Sequence, residues 1–508
     1  MTQPPTAPTR DLAAQLELGL QQLRAGDSTA AAATLRDMLV AAPDHVEGLV
    51  ALGSAEMALN QWDAAELRFR RALDHRPHHP PAHRNLGVLL GASERHAEAL
   101  ALADAALAAD HGHSQALLTR GNALTGLARL QEALQSYSDA AAFDDVTYEA
   151  LTKLGLTYAA LNQNETALRS FDQAITRQPN QALAVFRRST VRLLLRDFSG
   201  GWDDYEARLN VSAFIASSMG FYQPLMTRVA RRMPAEQVSN SNILLLGEQG
   251  LGDQVMFASM VPDVAAAAAK LTCVCDLRLA RLFSASFEGV AFQGLGNPPV
   301  LAVAPDSTLV AMGSLGRLYR RSEAEFPRTP YLRASQAVCE AWAERLGPRP
   351  RGLRIGLSWR GGVPSTRRSQ RSLSLEQLSP VLDLPDCAFV SLQYGDVAAE
   401  LAELNTSRDD PIRAFDPSEL HDFEDLAGLI ANLDVVVSVQ TAVVHLAGAI
   451  GTDCLTLLPH SPEWRYTASG SSMPWYRSVE LFRQPEPGAW EPVVREVTDA
   501  LRLRLADR

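Results

Sequence analysis

Glycine returns every 34 residues early in the chain, at Gly19, Gly53, Gly87, Gly121 and Gly155, and alanine keeps the same interval at Ala31, Ala65, Ala99, Ala133 and Ala167. A repeat of this length confines the fold to a narrow class. Each period is one supersecondary unit too small to bury its own apolar face, so neighbours must stack. Small residues at two fixed points let paired helices cross closely, and 34 residues make one helix-turn-helix unit. Phe69, Tyr137 and Phe171 share an aromatic position, and Pro43, Pro77 and Pro179 close their units, with His111 and Asp145 replacing the proline in two others.

The pattern closely resembles the tetratricopeptide repeat, over five units from about Leu12 to Gln181, with a sixth, degenerate unit ending in GGWDDYEARL at 200–209. The expectation is an α-solenoid over 12–209 behind a disordered tail at 1–11. The resemblance implies a concave groove for a protein acceptor or assembly partner; self-association is an alternative role. Leu20, Ser54, Val88, Asn122 and Leu156 occupy one candidate lining position, so no asparagine ladder is formed there. His75, His78, His79 and His83 crowd one junction between repeats. They lack an i, i+4 frame within one element and any nearby cysteine, so no metal is expected.

The 508 residues allow two to four domains. A net charge of −11 gives no basic surplus for nucleic acid, and no apolar run reaches spanning length, so no membrane span is expected. Without the apolar core of a signal peptide the chain reads as cytoplasmic, and its five cysteines, an odd number, read as reduced packing residues.

After a linker expected at 210–240, broken by Pro224 and Pro234, the period changes. NILLLGEQGLGDQVMF reads as strand, glycine loop and helix. Its Gly247, Gly250 and Gly252 follow the order GxxGxG, not GxGxxG, and no clear strand-end acid follows for a ribose, so a dinucleotide site is rejected. Asp253 enters the helix at the mouth of this loop, where a carboxylate caps free N–H groups or takes a proton from a hydroxyl. GPRPRG at 347–352 separates two βα lobes, 241–350 and 351–508, with a cleft expected between them. DVVVSVQTAVVHLAGAIG at 434–451 is a buried strand turning into a helix, an arrangement that binds phosphate or merely packs a core-facing histidine. Trp490, Val493, Val494, Val497 and Leu501 mark one face of a final helix long enough to cross the lobes.

LLLGEQGLGDQVMF, IGLSWRGG, FVSLQYGD, DFEDLAGLIANLDVVVSVQTAVVHLAGAIG, PEWRY and MPWYRSVELFRQ, in this order, resemble bacterial glycosyltransferases of the GT-B fold related to the lipopolysaccharide heptosyltransferases. Repeat-plus-GT-B layouts also occur in protein O-GlcNAc transferases and flagellin glycosyltransferases. The resemblance covers Asn242 to about Arg508. The fold class expected is therefore an α-solenoid followed by an α/β GT-B fold of two Rossmann-like lobes.

The resemblance implies transfer of a sugar from a nucleotide-sugar donor in the second lobe to an acceptor hydroxyl nearer the first. No Asp-x-Asp occurs in the chain, so a metal clamp is not expected and positive groups must hold the donor phosphate. Candidates are Arg360, Arg367, Arg368 and Arg371, with Gln440, Thr441, the Ala442 amide and His445 as the cradle and Gly250 and Gly252 opposite it. Ser391 and Gln393, with Glu463 to Arg465, are candidates for the nucleoside. Asp253 matches the family's aspartate and is the expected general base, with inversion at the anomeric carbon. Glu248 is the second choice, or a loop organiser. Many relatives carry aspartate where this chain has Gln440, which puts a heptosyltransferase-like donor in doubt. The implied function is a metal-independent transferase needing no cofactor beyond its donor and acting on a protein recruited by the repeats, with flagellin one candidate. The alternatives are a transferase for surface polysaccharide or lipid-linked glycan, and a non-catalytic scaffold.

Overall fold

In the computed structural model, residues 12–296, 301, 303–362, 368–406 and 408–507 are described. The tail expected at 1–11, and Arg367, lie outside them. The chain divides into two compact units, 1–180 and 181–508.

The first unit is built of antiparallel helix pairs from Leu12–Arg24 to Asn164–Arg177. The 34-residue glycines have a steric cause. A Cβ on Gly53 would lie 2.6 Å from the Phe69 ring, on Gly121 2.4 Å from Tyr137, and on Gly155 2.5 Å from Phe171. The glycine is thus the notch that receives the aromatic of the next helix. The turn between paired helices carries a left-handed residue at the same period, Gly26, Asn60, Glu94, Ala128 and Asn162, which reverses the chain within a short turn. His45, His79 and His113 cap helices through Nδ1, accepting from Gly48 at 3.2 Å, Ala82 at 3.4 Å and Ala116 at 3.2 Å. His83 donates Nε2–H to the Pro77 carbonyl at 2.7 Å. Two of the crowded histidines, His79 and His83, therefore have local structural roles.

The sixth repeat keeps register, with Ser189 at the glycine position, Arg196 in the left-handed turn, and Gly201 and Tyr205 at the small and aromatic positions. It nevertheless belongs to the second unit, beginning at Gln181, rather than closing the array at 209 as expected. Trp202 and Arg208 are fully buried there. The stretch 210–240 is likewise no free linker: Phe214, Met219, Tyr222, Met226, Val229, Met233 and Val238 are buried in the same core. Prolines break its helices, but the apolar residues between them pack.

The second unit holds two parallel sheets with helices. In the first, β1 (Asn242–Leu246), β2 (Lys270–Asp276), β3 (Ala291–Leu295) and β4 (Thr308–Ala311) run in the order β3-β2-β1-β4. In the second, β5 (Arg354–Ser358), β6 (Ala388–Ser391), β7 (Val435–Val439), β8 (Cys454–Leu458) and β9 (Val479–Arg483) run β6-β5-β7-β8-β9. β5, β7 and β8 are buried at every residue, as strands covered by helices on both faces must be. The strand order reverses beside β1 and between β5 and β7, and such switch points open a crevice at the carboxyl ends of their strands. The final helix, Trp490–Ala506, buries the expected apolar face but packs on β8, β9 and Ser379–Leu382 of its own lobe instead of crossing to the first.

Candidate functional site

The carboxyl ends of β1 and β2 in the first sheet and of β5, β6 and β7 in the second open onto one cavity of about 690 Å³. Gly250 and Leu251, after β1, and Arg278, after β2, form one wall. Gly362 after β5, Ser391 to Ala398 after β6, and Gln440 to Val443 after β7 form the other, with Arg371 between them and Phe415, Leu420 and Phe423 at an apolar end. Of the residues singled out in the sequence, Gly250, Arg371, Ser391, Gln393, Gln440, Thr441 and Ala442 line this cavity.

The β7 turn presents hydrogen-bond donors to the cavity. Thr441 caps the helix Ala442–Ile450, its Oγ1 accepting from Val443 at 3.3 Å, so the N-terminal amides and the positive end of the helix face the cavity. Gln440 is 3% exposed; its Oε1 accepts the Glu463 N–H at 3.2 Å, while its Nε2 is buried with no hydrogen-bond partner. A buried donor left unmatched is costly, and this one stands at the cavity wall. Arg371, mostly buried, donates to Glu463 at 3.1 Å.

Gln393 organises rather than waits. Its Oε1 accepts from Trp359 at 2.9 Å and Arg360 at 2.7 Å, and its Nε2 donates to the Arg360 carbonyl at 3.1 Å, tying the ends of β5 and β6 together. The Arg360 guanidinium turns to Glu400 at 3.1 Å and does not line the cavity, and Arg368 stands exposed on the short turn Arg368–Arg371.

His445 is also not in the cradle. It lies 3% exposed on the core side of the helix Ala442–Ile450, with Nδ1 3.2 Å from the Tyr476 hydroxyl and Nε2 3.5 Å from that of Tyr466. Burial, and then the nearby Arg465, drives its pKa down to about 3, so the ring is neutral. The three-four spacing from Thr441 placed it one turn into the helix on the core side. Gly252 faces it: a Cβ there would come within 3.0 Å of His445 Cδ2 and 3.3 Å of Ala442 Cα. Gly252 therefore lets the helix Leu251–Ala258 abut Ala442–Ile450, and it does not line the cavity.

Glu248 is fully buried and receives Arg208 Nη2 at 2.6 Å, Arg208 Nε at 3.0 Å and the Gly313 N–H at 2.6 Å. Both of its oxygens are engaged, which ties the loop after β1 to Arg208 and Gly313. Asp253 accepts the Gly250 N–H at 3.3 Å and, on its other oxygen, Arg465 Nε at 2.6 Å and Arg465 Nη2. Arg465 also donates to Gln249 at 3.3 Å and stands 3.6 Å from Glu463. A chain of charges thus runs Asp253, Arg465, Glu463, Arg371 from the first lobe to the cavity wall. Sequence reasoning placed Arg465 only loosely at a nucleoside; that it meets Asp253 depends on a separation of 212 residues that no local pattern announces.

The first sheet does carry a strand-end acid, Asp276, missed in the sequence. Arg278 occupies it through its N–H at 3.0 Å and its guanidinium at 2.9 Å.

Among known proteins, the chain is 29% identical over 517 residues to Protein FlbA of Caulobacter vibrioides, a similarity spanning 96% of this chain and 83% of FlbA. Solved structures similar to it include a tetratricopeptide repeat protein of Thermus thermophilus, 20% identical with TM-score 0.33, covering 36% of this chain and 99% of that one. Another is a tetratricopeptide repeat protein of Parabacteroides merdae, 16% identical with TM-score 0.35, covering 39% and 78%. The tetratricopeptide repeat family matches residues 50–114 and 148–181. The first unit is built of tetratricopeptide repeats.

Proposed function

We propose that the second unit is a GT-B glycosyltransferase that moves a sugar from a nucleotide-sugar to a protein hydroxyl, the protein being recruited by the repeats. The observation that carries this reading is the unmatched Gln440 Nε2 beside the N-terminus of Ala442–Ile450 and Arg371, in a cavity lined on its opposite wall by Gly250, whose N–H donates to Asp253; Asp253 itself does not line the cavity. These donors suit a diphosphate without a metal, and the apolar end at Phe415 and Phe423 suits a base.

Transfer then runs in line. Asp253 takes the acceptor proton, the hydroxyl oxygen bonds to the anomeric carbon, and the bond to the donor phosphate breaks with inversion. The departing diphosphate keeps the electron pair and is held by Gln440, the Ala442 amide and Arg371. Both oxygens of Asp253 are engaged within the protein. The donor's own charge is what draws Arg465 from Asp253 and frees an oxygen for the acceptor.

A second reading is favoured by one observation: Arg360 and His445 stand off the cavity and Arg465 covers Asp253, which suits a nucleotide-binding scaffold. Intact-mass analysis of host proteins with and without the chain separates the two. The transferase reading expects a sugar-sized gain on a protein that disappears with Asp253→Asn. A gain that survives Asp253→Asn removes the base assignment, and no gain on any protein while nucleotide still binds favours the scaffold or a transferase acting on a non-protein glycan.

A further inference from the structure

The helix Leu251–Ala258 begins at the cavity described above and ends at a different one. That second cavity, about 320 Å³, shares no lining residue with the first. Three atoms on residues of its wall are buried without a hydrogen-bond partner: Ser259 Oγ, Arg320 Nε and Arg328 Nε. All three groups donate.

Arg320 is only 2% exposed and is fixed in place. Its Nη1 donates to the Tyr319 carbonyl at 2.7 Å, and its Nη2 donates to the Ser259 carbonyl at 3.1 Å and to Asp263 at 2.9 Å. That leaves Nε–H, buried and unpartnered, among the unused donors of a held guanidinium. Arg328 makes no ion pair among the described residues. Its backbone is left-handed, φ +61°, a strained conformation for a side-chain-bearing residue, and its carbonyl is pinned by the Arg477 N–H at 3.2 Å. Asp263 balances Arg320, so the lining carries one positive charge in excess. The remaining wall is made of aromatic residues and prolines with Ser286 and Thr329, and Phe326 and Trp475 pack edge to face at 4.8 Å.

Buried donors from separate segments, with one positive charge in excess, ask for an acceptor that carries negative charge. We infer that this cavity binds a small oxyanion, a carboxylate or phosphate on a sugar-sized molecule. Arg320, Arg328 and Ser259 hold the anion and the aromatic wall takes the ring. The volume is at the small end of the range for metabolite pockets, too little for a nucleotide-sugar. The inference does not depend on the first cavity holding a donor.

Calorimetric titration of the full chain with glucose 6-phosphate and, separately, with glucuronate distinguishes the two sources of the anion. At least one is expected to bind, with affinity falling tenfold or more in Arg328→Gln and threefold or more in Ser259→Ala. Arg371→Gln, in the first cavity, is expected to leave that affinity unchanged, and Arg328→Gln to leave nucleotide binding unchanged, so each proposal fails by its own variant. Arg328 has no ion pair to lose among the described residues, and its variant is expected to melt with the wild type; if it does not, Ser259→Ala carries the test. No binding of either probe, or binding unaltered in both variants, overturns the inference.

Discussion

Asp253 and Arg465 form the contact on which the proposed transfer turns. The pair is close and little exposed, 14% for each side chain, so removing one partner leaves the other charge uncompensated. Arg465→Gln is therefore expected to weaken nucleotide binding about tenfold, about 1.4 kcal/mol, and Asp253→Asn to leave it within about twofold while abolishing transfer; calorimetry with a transfer assay reads both. His445 gives a second prediction. Its folded pKa of about 3 lies below the unfolded value of about 6.5, so the unfolded chain binds the extra proton as pH falls between them. Stability is full above the upper value and is lost toward the lower one, by about 2 kcal/mol at about pH 5 for this group. Tryptophan-monitored unfolding should show that loss, and His445→Gln should reduce it. The sequence contained both readings of His445, cradle and core. The spacing along one helix could not decide, because the Tyr466 and Tyr476 hydroxyls that hold the ring come from a loop beyond β8.

Among elements, the repeats were the most legible, since their cause is local and recurs: a notch glycine and the aromatic 16 residues on, as Gly121 and Tyr137. Gly121→Ala is expected to cost about 1–3 kcal/mol by overpacking against Tyr137. Gly91→Ala, in the helix Pro80–Ala92 with nothing within 4 Å of the new methyl, is expected to be neutral or stabilising by up to about 1 kcal/mol. Helical circular dichroism melts compare the two. Strand β7 and its turn were legible for the same reason, a run of buried β-branched residues followed by a capping threonine. What escaped was side-chain pairing and packing set by distant chain: the Glu248 pair with Arg208, Arg360 turned to Glu400, and the final helix kept to its own lobe by β8 and β9.

For the whole chain, the informative boundary is the one the 34-residue period conceals. The sixth repeat obeys the period, yet its residues fill the core of the second unit. Trp202 is fully buried, donates Nε1–H to the Arg320 carbonyl at 2.8 Å and lies 5.5 Å from Trp464; Arg208 is the buried partner of Glu248. A fragment of residues 181–508 is accordingly expected to unfold cooperatively, and one of 210–508 to be insoluble or to melt without cooperativity, because it leaves Glu248 buried without its guanidinium. Equal stability of the two fragments would show the sixth repeat to be dispensable. The account as a whole rests on a metal-free anion site at Gln440 and Arg371, and calorimetric titration of the intact protein with nucleoside mono- and diphosphates in chelator tests it most directly. At least one nucleotide is expected to bind, at least tenfold more weakly in Arg371→Gln and Gln440→Ala and nearly unchanged in Asp253→Asn. Binding that requires a divalent cation, or that both cavity variants leave intact, would contradict it.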